Sequence, residues 1–158
     1  MSHAAIRDAL AALFAAVPAV GQVHNRERYL REETKFRELY LYTPLGGSKQ
    51  VRGWWLRRTA TAERSLGVGR TLEVHTWQLR GYMALNDEEG SELAFDALIE
   101  ALRDAYRADP TLGGVCEQSP LADGDNADGL QLLDSAPVLF CGVLCHSALL
   151  ELRTWSYS

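Results

Sequence analysis

The sequence predicts an α+β domain in which helices cover one face of a mostly antiparallel, possibly mixed sheet that includes a long β-hairpin. Three observations carry this. An alanine-rich amphipathic segment opens the chain, two long alternating segments flank a glycine-rich turn, and a second amphipathic helix precedes a late pair of strand-like segments. The 158 residues are 47% hydrophobic and 23% charged, which suits one domain over 1–158 with its own core.

Ile6, Leu10, Leu13, Phe14 and Val17 repeat at helical spacing, and Pro18 ends the pattern, so residues 3–17 read as a helix. A short strand is expected over 20–24. Residues 28–42 read as a second helix, charged on one side and apolar at Leu30, Phe36, Leu39 and Tyr40, although Leu39-Tyr40-Leu41-Tyr42 also has strand character. A loop at 44–48 leads into strands at 50–61 and 71–85, which glycines at 67 and 69 join into a hairpin. Asn86–Ser91 opens the clearest helix, since Asp87 or Ser91 can cap it. Leu93 sits near its start, Phe95, Leu98, Ile99, Leu102 and Tyr106 form its buried stripe, and Asp109-Pro110 ends it. Two last strands are expected at 129–134 and 137–155, the second a central strand that is apolar on both sides from Val138 to Leu144.

The formal charge of −5 leaves no chain-wide basic footprint for nucleic acid. Met1–Asp8 does not read as a signal peptide, and no run approaches the roughly 18 apolar residues of a membrane span. The three cysteines are Cys116, Cys141 and Cys145, an odd number that argues against a disulfide framework.

Cys141, Cys145 and His146 are the best metal candidates. In a strand the two cysteines share a face while His146 points away, so packing is the expected role and no metal is assigned. Asp123, Asp125 and Asp128 echo a calcium loop without its spacing or its later glutamate. No phosphate loop and no GxSxG elbow occurs. Neither catalytic residues nor a cofactor is therefore expected. Adjacent Trp54 and Trp55 must point to opposite faces of a strand, so one is expected to be exposed among Arg52, Arg57 and Arg58. Tryptophan and arginine are enriched at interfaces, which makes this a candidate interface. The acidic residues Asp87, Glu88, Glu89, Asp123 and Asp125 offer a complementary one.

Several segments together resemble the tail terminator (tail-completion) proteins of siphophages, especially the Mu-like group. They are Arg52-Gly53-Trp54-Trp55, His75–Tyr82, Leu85–Asp87 with Ser91–Phe95, Tyr106–Gly114, and the Cys145-His146 strand. The resemblance covers about residues 1–153, and its motifs are structural ones. It implies a virion protein of the tail or neck, assembled in the host cytoplasm. Such a protein forms a ring of its own copies, expected to be a hexamer, on the last ring of tail-tube protein. The ring ends tube polymerisation and gives the head-side connector or stopper its docking surface. DNA passes the lumen without specific binding, and no membrane is involved. The alternatives are a head–tail adaptor of the phage neck and a small-molecule-binding domain.

Overall fold

The computed structural model describes residues 3–117 and 129–157. In chain order the elements are α1 (His3–Ala15), β1 (Gln22–His24), α2 (Glu33–Glu38), β2 (Leu41–Tyr42), β3 (Gln50–Gly67), β4 (Arg70–Ala84), a 3-10 turn (Asp87–Glu89), α3 (Ser91–Ala108), β5 (Gln131–Phe140) and β6 (Val143–Tyr157). The strands form one open sheet in the order β1-β3-β4-β6-β5, with β2 also paired to β3. Only β1 runs parallel to its neighbour. The α+β architecture, the mostly antiparallel and partly mixed sheet, and the long hairpin are those the sequence predicts.

The main core lies between the two long helices and one sheet face. Ile6, Leu10 and Phe14 of α1 and Phe95, Ile99 and Leu102 of α3 meet Trp54, Leu56, Trp77, Leu79, Leu150 and Leu152 of the three central strands. Fully burying a large apolar side chain of this kind contributes roughly 1.5–3 kcal/mol. The indole of Trp54 stacks on Phe95 with centroids 5.8 Å apart, and its Nε1 donates to the Val20 carbonyl at 3.1 Å. The Trp77 Nε1 donates to Thr154 Oγ1 at 2.9 Å. Both buried indole N–H groups are therefore satisfied, as buried donors must be.

Three expectations are corrected. The helix expected over 28–42 is confined to Glu33–Glu38, and Leu41-Tyr42 pairs with Val51 and Gln50 as a strand. Helix propensity is outweighed here by packing, because turning the chain at Leu39 buries Tyr40 on the second sheet face with Val51, Trp55 and Cys145. It follows that the long helices share one face, as expected, while α2 lies against the other.

The second correction concerns the late strands. The apolar run Val138–Leu144 is not one central strand, because the chain reverses inside it at Cys141-Gly142. Phe140 pairs with Val143, and the two turn residues have φ of 49° and 77°. Two positive φ values in a two-residue turn match the twist of the flanking strands. Most of β5 thus forms an exposed edge, while β6 takes the central place between β4 and β5.

The third concerns hairpin length. The β3–β4 ladder continues to Gly67 and Arg70, with irregularities between Arg58 and Ala60 and between Ser65 and Gly67. Every residue from 59 to 70 is exposed. The hairpin therefore outruns the helices that cover its base.

Candidate functional site

The arginine–tryptophan candidates do not form one surface patch. Trp54 and Trp55 do point to opposite faces, yet neither is exposed: their relative exposures are 0% and 7%. The expected exposed indole is absent because α2 and Tyr40 cover the second face at that point. The arginines are separated too. Arg52 donates to the Ala19 carbonyl at 3.1 Å and lies over the Tyr42 ring. Arg57 pairs with Glu27 at 3.4 Å on the α2 side of the sheet. Arg58 alternates onto the helix side, opposite Trp77 in register. Asp87, Glu88 and Glu89 are exposed as expected and form the 3-10 turn leading into α3. Asp123, Asp125 and Asp128 lie outside the described residues.

The cysteines behave as packing residues. Cys145 is fully buried in the second cluster, and burial raises its thiol to about 11. Burial likewise raises Cys116 to about 11. Thiols so raised stay protonated and are poor nucleophiles or ligands. Cys141 sits in the hairpin turn rather than in a strand with Cys145, which removes the shared-face geometry. Among the described residues no three His, Cys, Asp or Glu side chains gather as a metal-holding group.

A concave feature lies between α3 and β5. It has a volume of about 380 Å³, with Glu92, Leu93 and Asp96 on the helix side, Ser135 and Pro137 on the strand side and His146 at its base. Leu93 on its helix side is 77% exposed, and Leu139, two residues beyond Pro137 on β5, is 74% exposed. Its walls are acidic, and neither Glu92 nor Asp96 belongs to an ion pair among the described residues. The groove arises because β5 is an edge strand lying beyond the helix layer. Phe95 and Ile99 of α3 reach the central strands and leave the β5 side chains uncovered.

Ser91 and His146 meet beside this groove. Ser91 Oγ and His146 Nε2 are hydrogen-bonded at 2.7 Å, and Ser91 Oγ accepts the Asn86 backbone N–H at 2.8 Å. The imidazole also stacks on Phe95 at 5.7 Å. A serine–histidine contact of this length is one element of a nucleophile–base pair. Here the hydroxyl is buried, its lone pair is engaged by a backbone amide, and no described side chain bonds His146 Nδ1 to orient it. What the arrangement does physically is fasten the start of α3 to β6.

Opposite in character is the hairpin tip. Leu66 and Val68 are exposed apolar residues, Val68 fully so. Arg64 and Arg70 flank them, and neither is in an ion pair among the described residues. Arg70 lies 4.3 Å over the Tyr157 ring, and Tyr157 pairs with Leu72, the register partner of Arg64. One side of the tip is therefore basic. On the other side Glu63 faces Glu73 across the ladder.

The glycines at 67 and 69 mark the hairpin tip in the sequence, whereas the groove has no such motif. Leu93 carried a signal: it is out of phase with the stripe formed by Phe95, Leu98, Ile99 and Leu102, and an off-stripe leucine on a polar helix face is an interface mark. No family model matches the chain, and no curated protein matches it as a relative. Among the described residues no helix is long and apolar enough to cross a membrane.

Proposed function

We propose that this chain is a structural assembly protein of the tail-terminator type, one that caps a siphophage tail tube, ends its polymerisation and presents the surface on which the head connector docks. The observation that carries this is the exposed hairpin from residue 59 to 70, none of whose residues belongs to the core that the helices cover among the described residues. A projecting element of this length contributes little to its own domain's stability and suits contact with another molecule. The resemblance in Arg52–Trp55, His75–Tyr82 and Ser91–Phe95 supplies the particular assembly, and the buried state of Cys145 and Ser91 fits a chain that works by docking. In this role the chain forms a ring of its own copies, expected to be a hexamer, between tail-tube protein and head-side connector, with DNA passing through the centre.

Deleting the gene from its phage tests the proposal. Overlong or headless tails are expected, and the purified chain added back should cap the tubes as a ring of mass near six times 17.5 kDa. Tails of normal, uniform length joined to heads would overturn it. Tails of normal length that lack heads, with the chain bound only to the connector, would make it a head–tail adaptor instead.

A further inference from the structure

We propose that the hairpin tip of one chain docks in the α3–β5 groove of a second copy of the same chain, making a head-to-tail contact. This deepens the assembly function proposed above and rests on it for the presence of several copies.

The two surfaces complement each other in kind and in charge. The tip presents Leu66 and Val68 between Arg64 and Arg70. The groove presents the exposed Leu93 between Glu92 and Asp96 on α3, facing Ala136 and Pro137 of β5, with exposed Leu139 two residues further along that strand. The four charged side chains are all exposed and outside any ion pair among the described residues. Bringing the surfaces together covers the apolar groups and pairs the charges, which favours the correct partner and speeds encounter.

A chain cannot fill its own groove. β4 runs 15 residues from the tip to Ala84, about 50 Å of extended strand at some 3.3 Å per residue. α3 starts shortly beyond that far end, at Ser91. Tip and groove therefore sit at opposite ends of the sheet, and the tip meets a groove only on another molecule. Because the two surfaces differ, the contact is heterologous, and repeating it closes a ring or extends a filament.

The β5 edge favours side-chain docking over open-ended strand pairing. Pro137 lies in the middle of β5 and lacks a backbone N–H, a device that blunts strand edges. The groove face beside it keeps its apolar groups and acids free to receive a partner.

Cysteine cross-linking tests the contact in the full-length chain, with Cys141→Asn removing the one partly exposed thiol. Val68→Cys and Leu139→Cys both fall on exposed side chains. Under mild oxidation, a mixture of the two single variants should give mixed dimers at least tenfold above dimers of either variant alone. The doubly substituted chain should give a ladder of higher oligomers. Arg64→Glu with Arg70→Glu should cut the mixed product at least tenfold, and combining it with Glu92→Arg and Asp96→Arg should restore it. Equal yields from mixed and unmixed variants, or reversal without loss or rescue, would overturn the contact. A wild-type ring seen by sedimentation without the mixed cross-link would remove this contact and leave the assembly function. The cross-link together with normal tails after gene deletion would keep the contact and remove the terminator role.

Discussion

Gly81 lies directly under the Trp54 indole, its cross-strand partner, so closely that a methyl group on Gly81 would overlap the ring. The glycine is what lets the indole lie flat across β4 toward Phe95. Gly81→Ala should therefore displace Trp54 and cost about 1–3 kcal/mol, the usual penalty for overpacking a filled core. Denaturant unfolding followed by tryptophan fluorescence reads the loss, and an unchanged midpoint would show that the indole can move without cost.

Cys141 adopts φ 49° in the turn between β5 and β6, a left-handed conformation rare for a residue with a β-carbon. Asparagine tolerates that region and is favoured before glycine in such two-residue turns. Cys141→Asn should raise stability by about 0.5–1 kcal/mol. A rise in the thermal midpoint of a few degrees is expected, and a fall would mean that the thiol packs better than its place in the turn suggests.

His75 is buried, with Nδ1 2.9 Å from Thr61 Oγ1 and Nε2 3.5 Å from Glu73 Oε2, too far for a well-formed hydrogen bond. Burial pushes its pKa below the usual 6.5. Glu73 opposes this, while Arg58 and His3 add to it. The unfolded chain therefore binds a proton more readily than the folded one. The stability contributed by neutral His75 is complete above pH 6.5 and declines as pH falls through the window below it. His75→Gln should flatten that slope in unfolding curves measured from pH 7.5 to 5.

Ser91 ties the α3 start to β6 through His146 and receives the Asn86 amide. Ser91→Ala removes the partner that the Asn86 amide and the His146 imidazole share, at a cost of about 1 kcal/mol. Hydrogen exchange should speed first at Asn86 and the opening turn of α3. Uniform loss of protection across the sheet would instead place Ser91 in the global core.

The sequence revealed the elements more clearly than their limits. α1, α3 and the long hairpin were legible because helical and two-residue periods persist over many positions, as at Ile6–Phe14 and Leu72–Met83. The short α2 was not, because what ends it is the burial of Tyr40 against Trp55 and Cys145, a contact between segments far apart in the chain. The turn at Cys141-Gly142 is hidden inside a continuous apolar run, in which the exposed Leu139 and Leu144 look like interior residues. For the same reason the pairing of Trp54 and Trp55 with opposite faces was predictable, while the covering of both was not. The groove depends on β5 lying outside the helix layer, a fact of sheet order that strand periodicity does not encode.

Glu63 opposite Glu73 gives the hairpin a dependence on ionic strength that runs against that of its docking contact. Like charges across a ladder weaken it, and the range of exposed charge effects shrinks from about 10 Å at 0.1 M salt to about 3 Å at 1 M, shorter than the spacing of directly opposed side chains. Raising the salt concentration therefore firms the outer rungs of the hairpin. The same salt weakens the attraction of Arg64 and Arg70 for Glu92 and Asp96. Dilute buffer thus favours capture by a loosely held tip, and concentrated buffer favours a well-formed tip that binds poorly, so association should peak at an intermediate ionic strength.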